Sequence, residues 1–107
     1  NCGILCIPSA FSKGTGRSGH WKTLVSARAI ENQCFVLAPN QIGTAPNGLE
    51  TYGHSMIVDP WGRIIGEGDE QSECVIYGDL DLNVIQKVRE ELPSLSNNRM
   101  EMIKKHF

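Results

Sequence analysis

The chain opens with short, continuously apolar runs separated by a segment of helical period. "GILCIP" (Gly3 to Pro8) is an apolar run bounded by Gly and Pro, the pattern of a strand buried on both faces. From Ser18, a suitable N-cap, "GHWKTLVSARAIENQ" places Trp21, Leu24, Val25, Arg28 and Ala29 at three- and four-residue intervals, with Ile30 at the margin. That spacing predicts an amphipathic helix of about four turns. "CFVLAP" (Cys34 to Pro39) follows as a second buried strand. Strand, helix and strand in this order predict a crossover between parallel strands.

The pattern then changes. "NQIGTAPNGLETYG" (Asn40 to Gly53) is polar and rich in Gly, Pro and Asn, and reads as a long loop of the kind that covers or forms a site. "HSMIVDPWGRIIGEG" (His54 to Gly68) reads as a hairpin turning at Asp59-Pro60-Trp61-Gly62, because Pro presets φ and Gly accepts positive φ. "ECVIYGDLD" (Glu73 to Asp81) predicts one more strand. "LNVIQKVREEL" aligns Leu82, Val84, Ile85, Val88 and Leu92 on one side of a second amphipathic helix, which Pro93 helps to end. The tail from Ser94 is polar and weakly patterned.

Composition narrows the class. The 107 residues suffice for one small domain, and 40% hydrophobic with 21% charged residues is ordinary for a soluble globular protein. A net charge of -2, with ten basic residues scattered from Lys13 to Lys105, offers no stripe for a phosphate backbone, so a nucleic-acid partner is not expected. No apolar run approaches the roughly 20 residues that span a bilayer, and no signal-peptide pattern is present, which predicts no membrane partner and a cytoplasmic location. Cys2, Cys6, Cys34 and Cys74 lack the paired spacing of a zinc site. They read as reduced, buried thiols, and neither a metal nor a cofactor is expected.

Gly14, Gly16 and Gly19 spell G-x-G-x-x-G, so a nucleotide loop has to be tested. In a dinucleotide fold the first glycine sits at the strand end, yet Ser9 to Lys13 intervene here, and "LAPNQ" offers no acidic residue for a ribose. A P-loop needs Lys and Ser or Thr directly after its second glycine, and Lys22 comes too late. The stretch is therefore read as a structural, glycine-rich loop.

Several motifs in register are more specific. "PSAF" (Pro8 to Phe11), "TG" (Thr15, Gly16), "HW" (His20, Trp21), "ARAIENQCFVLAPNQIG" (Ala27 to Gly43) and "YGHSMIVDPWG" (Tyr52 to Gly62) closely resemble the carbon-nitrogen hydrolase, or nitrilase, superfamily. They are most similar to its omega-amidase and deaminated-glutathione amidase branch. "DLDLNVIQKVREELPSL" fits the same pattern near the end of the domain. The resemblance implies an α/β fold, the C-terminal part of an α-β-β-α sandwich, with residues 1–107 as the C-terminal portion of a single hydrolase domain. It also implies amide cleavage through a cysteine thioester, with glutamate as acid and base and lysine stabilising the tetrahedral intermediate. None of those three catalytic residues matches a position here. A chain opening "NCGILCIP", almost directly in a strand, reads as a piece of something longer.

A local Cys-His catalyst using His20 or His54 is the alternative, but none of the four cysteines sits at a strand-to-helix elbow that would expose sulfur to a base. Glu31, three residues after Arg28, reads as half of a helical ion pair. From the resemblance, Ser9, Ala10 and Phe11 are expected to line the substrate pocket. His20, Trp21 and Asn40 are further candidates, although Trp21 also reads as a core anchor and His20 as a cap. Lys22 departs from the acidic residue that commonly follows "HW" in the family. The expected partners are a small amide substrate and a second copy of the chain. The competing reading is a noncatalytic pseudoenzyme or interaction module.

Overall fold

The computed structural model describes residues 2–105. Its centre is a four-stranded sheet in the order β1-β2-β5-β6, built from Ile4–Cys6, Phe35–Ala38, Met56–Val58 and Ile64–Glu67. β1 and β2 run parallel, with Leu5 opposite Val36, while β2, β5 and β6 are antiparallel. The expected strand, helix and parallel strand are therefore present, and so is the hairpin. At its turn the Asp59 carboxylate accepts the N–H groups of Trp61 and Arg63, both at 2.9 Å.

The crossover helix α2 spans His20–Asn32 and buries Trp21, Val25 and Ala29, one residue per turn. These meet Val36, Ala38, Met56 and Val58, the inward residues of β2 and β5. Each fully buried side chain of this size contributes roughly 1.5–3 kcal/mol, which makes this layer the main source of cohesion. Leu24 and Ile30, drawn into the apolar stripe by sequence, are instead about half exposed. Three rows at i, i+4 and i+8 suffice against a narrow sheet. The expected pair Arg28–Glu31 is formed.

The helix does not begin at Ser18. A preceding helix α1, Lys13–Arg17, ends at Ser18, and left-handed Gly19 separates it from α2. The glycine-rich stretch is thus partly helical rather than a loop. Its reason is packing: a Cβ on Gly16 would stand 2.2 Å from Tyr52 Cγ, so only glycine lets α1 lie on the tyrosine ring.

Three other expectations are corrected. Residues 40–53 contain a small antiparallel ribbon, β3 (Ile42–Thr44) and β4 (Glu50–Tyr52), rather than loop alone. Residues 73–81 join no ladder, and Val75 and Tyr77 are 75% and 84% exposed. Ile76, Tyr77 and Leu80 share a concavity of about 380 Å³ with Leu37 and Ile57, so this extended segment lies over the sheet face opposite α2. That face is only partly covered: Ile4 and Ile65 are exposed, so β1 is not buried on both sides as its composition implied. Of the four thiols, only Cys34 is buried, and burial pushes its ionisation up.

Helix α3, Asn83–Glu91, buries Ile85 and Val88, whereas Leu82 and Leu92 on the same expected face remain half exposed. Buried Gln33 ends α2 in left-handed conformation, and its Nε2 donates to the Leu92 carbonyl at 2.6 Å, tying the end of α2 to the end of α3. A short 3-10 turn, Ser94–Asn97, and helix α4, Met100–Lys104, follow. Among the described residues no helix is long and apolar enough to cross a membrane.

Gly16→Ala is expected to lower stability by about 1–3 kcal/mol through overpacking against Tyr52, whereas Gly14→Ala, with open space at its Cβ, should raise it by about 0.5–1 kcal/mol. Thermal denaturation of the two variants would check this, and equal effects would refute the close-approach argument. The partly covered sheet face also predicts that the 107-residue chain self-associates when produced alone. A single monomeric species in sedimentation at tens of micromolar would contradict that.

Candidate active site

Parallel strands that end side by side leave backbone groups and loop side chains converging beyond their carboxyl ends. Here the pairing continues past β1 and β2. Ile7 N–H donates to the Leu37 carbonyl, Ser9 N–H to Pro39 and Gln41 N–H to Ser9, each at 2.9 Å. Pro8, Ser9 and Ala10 thereby face Pro39, Asn40 and Gln41 around an open concavity of about 460 Å³.

Asn40 is 8% exposed, and both its amide oxygen and its amide nitrogen are hydrogen-bonded. Oδ1 accepts the Phe11 N–H at 2.8 Å, and Nδ2 donates to the Gly53 carbonyl at 2.7 Å. Its own N–H donates to Ser55 Oγ at 2.9 Å. One side chain therefore joins the turn after β1 to the segment before β5.

Phe11 turns its ring towards α2 and packs on Trp21, with centroids 5.3 Å apart and planes tilted by 46°. Trp21 is 3% exposed, and its Nε1 donates to the His54 carbonyl at 2.8 Å. The two rings border a second, apolar groove with Ile7, Ser9 and Leu24. Ser9, Ala10 and Asn40 thus share the strand-end concavity, and Ser9 also touches the aromatic groove. His20 stands exposed at the first position of α2 and lines neither cavity, and Lys22 is exposed beside it.

Sequence reasoning passed over Gly53 and Ser55 and weighed His54 only as a partner for cysteine. Gln41, Gly53 and Ser55 line a further concavity next to Asn40 with Asp69 and Cys74. His54 is a non-glycine residue at φ 51°. Its ring stacks on Tyr52 at 4.1 Å, and Nδ1 lies 3.1 Å from Glu67 Oε1. Among the described residues no thiol is hydrogen-bonded to a histidine, and no group of three His, Cys, Asp or Glu is disposed to hold a metal.

Charge around this edge is organised by Arg17. Its guanidinium grips Glu70 through two bonds, of 2.6 and 3.2 Å. That hydrogen bonding holds the Glu70 carboxyl below its usual range. Asp69 is also held low, chiefly by the N–H groups of Gln71 and Ser72.

A depressed carboxylate adds stability that is present above its unfolded pKa, near ~4.3 for glutamate, and is lost as pH falls through the lower folded value. Arg17→Gln should therefore reduce stability modestly at pH 7, and the difference should shrink at pH 2 as Glu70 takes up its proton. Urea denaturation at the two pH values tests it, and a difference that persists undiminished in acid would refute it. Asn40→Ala should cost about 2–4 kcal/mol, because it strands the Phe11 N–H and the Gly53 carbonyl. Denaturation measurements showing less than about 1 kcal/mol would mean that water replaces the amide.

The same fold recurs in known proteins. The chain is 42% identical over 101 residues to the deaminated glutathione amidase of Dictyostelium discoideum, covering 94% of this chain and 34% of that protein. It superposes on the crystal structure of the Caenorhabditis elegans NitFhit protein with a TM-score of 0.84 and 40% identity, over 95% of this chain and 24% of that one. Saccharomyces cerevisiae Nit3, a member of branch 10 of the nitrilase superfamily, matches with a TM-score of 0.79 and 35% identity, over 91% of this chain and 34% of Nit3. The chain thus spans about a quarter to a third of the length of these relatives. The sequence profile of the carbon-nitrogen hydrolases matches residues 3–90, from the residue before β1 almost to the end of α3, and the chain belongs to that family.

Proposed function

We propose that the natural-length protein is a thiol-dependent amidase acting on small, carboxylate-bearing amides, and that residues 1–107 form the C-terminal portion of its single catalytic domain. The observation that carries this reading is the seating of Pro8, Ser9 and Ala10 opposite Pro39, Asn40 and Gln41 around one concavity at the ends of parallel β1 and β2, in a chain of the carbon-nitrogen hydrolase family. Such a concavity is where the sheet leaves room for a small ligand. Relatives at about 40% identity named deaminated glutathione amidase favour an amide of that kind as substrate.

In this reading a cysteine thiolate outside these 107 residues attacks the amide carbonyl, and ammonia leaves after protonation by a glutamate. Water then hydrolyses the thioester. A lysine stabilises the tetrahedral oxyanion. The present chain supplies the wall: Ser9 and Ala10 border the substrate, Asn40 fixes the two loops, and Phe11 on Trp21 lines the adjoining apolar groove, with His20 exposed outside both. Assembly as a homo-oligomer and a cytoplasmic location belong to the same proposal, the latter supported by four unpaired thiols.

The test is ammonia release from omega-amides of short dicarboxylic acids and from deaminated glutathione. The natural-length protein should hydrolyse at least one of them, and the 107-residue chain alone none. Ala10→Trp, which fills the concavity, should raise KM by at least about tenfold. A natural-length protein that is folded and inactive on every amide would overturn the proposal in favour of a noncatalytic module. Turnover by the 107-residue chain alone would overturn the assignment of the catalytic residues to another part of the protein.

A further inference from the structure

The four residues Tyr52 to Ser55 precede β5, and each makes a bond to a part of the candidate site. Tyr52 N–H donates to the Phe11 carbonyl at 2.8 Å. Gly53 donates its N–H to the Gln41 carbonyl at 3.0 Å and accepts Asn40 Nδ2 through its own carbonyl. The His54 carbonyl receives Trp21 Nε1, and Ser55 Oγ receives the Asn40 N–H. Consecutive residues can aim bonds in such divergent directions because Gly53 and His54 are both left-handed, at φ 68° and 51°.

Left-handed backbone suits Gly53 but strains a residue that carries a Cβ, and histidine at such a position needs compensating contacts. The structure supplies them on three elements. The imidazole stacks on Tyr52 of β4. Nδ1 meets the Glu67 carboxylate of β6, and Nε2 lies 3.9 Å from Glu70, which Arg17 of α1 grips from its other side. The side chain is thus fastened to the scaffold while the main chain holds the loops.

We propose that His54 is a positioning residue of this site: clamped between Tyr52, Glu67 and Glu70, it keeps residues 53–54 left-handed and so sets Asn40 at the strand-end concavity and Trp21 and Phe11 at the apolar groove beside it. Its side chain lines neither the strand-end concavity nor the aromatic groove. The assignment rests on the amidase reading for its catalytic consequence, but not for its structural one.

The experiment compares His54→Val, His54→Asn and His54→Gly in the natural-length protein. Valine, branched at Cβ, opposes left-handed backbone, whereas asparagine and glycine enter it readily. His54→Val should lower kcat by about 10- to 100-fold, as expected for a displaced constellation, and change KM by less than about threefold. His54→Asn should recover kcat to within about threefold of wild type. In parallel, hydrogen exchange at the Trp21 indole N–H, slow in wild type, should accelerate in His54→Val and stay slow in His54→Gly. Should His54→Val fail to fold, His54→Ala takes its place in both measurements.

Unchanged kcat and indole exchange in His54→Val would overturn the proposal. So would a loss of kcat as large in His54→Asn as in His54→Val, since left-handed backbone at residue 54 would then not be what the site requires. If the wild-type protein hydrolyses no amide, the amidase reading fails and the indole measurement still decides: faster exchange in His54→Val supports the positioning role, and unchanged exchange overturns it.

Discussion

The candidate site depends on the amide of Asn40. A buried amide carries a donor and an acceptor that must both be satisfied, and this one is satisfied by the turn after β1 and by the segment before β5. Without it, three chain segments that meet only at the sheet edge would lose their common anchor. Its neighbour Ser55 completes the arrangement by taking the Asn40 N–H, so the residue is held by backbone and side chain together. A polar side chain here does what an apolar one cannot, because it fixes direction as well as proximity.

Around that anchor the packing is asymmetric. On one side of the sheet, Trp21, Val25 and Ala29 close over β2 and β5 as one buried layer. On the other, residues 73–81 cross an apolar face without completing a ladder, and Ile4 and Ile65 stay exposed. The site lies at the edge between these two regimes. The tightly packed layer supplies rigidity through Trp21, whose ring backs Phe11 and whose indole nitrogen reaches His54. α1 joins the same edge from outside, resting Gly16 on Tyr52 while Arg17 holds Glu70. A stretch first met as a glycine pattern is therefore a small packing unit that braces the histidine's surroundings.

Much of this could be read from residue order. The apolar runs at "GILCIP" and "CFVLAP", the helical period between them and the turn at "DPWG" follow from local rules of burial, periodicity and φ preference, and the structure contains each of them. Those rules failed where the outcome depends on a distant partner. Leu24 and Leu92 look like core residues by spacing but stay about half exposed, and residues 73–81 have strand composition but no ladder partner. Glycines 14 to 19 look like loop until Tyr52, more than thirty residues on, supplies the ring against which a short helix can form.

The sequence by itself determined the family, through ordered motifs that span most of the chain, and the main elements, through periodicity that needs no knowledge of neighbours. It also pointed, through the family resemblance, to Ser9, Ala10 and Phe11 as pocket lining, with Asn40 as a further candidate. Only the tertiary structure decided that Asn40 turns its amide into the scaffold, that Phe11 lies on Trp21, and that His54 adopts left-handed backbone between two carboxylates. The reason is physical: hydrogen-bond direction, ring stacking and backbone strain are settled between residues far apart in sequence, and no local pattern records which partner will be there.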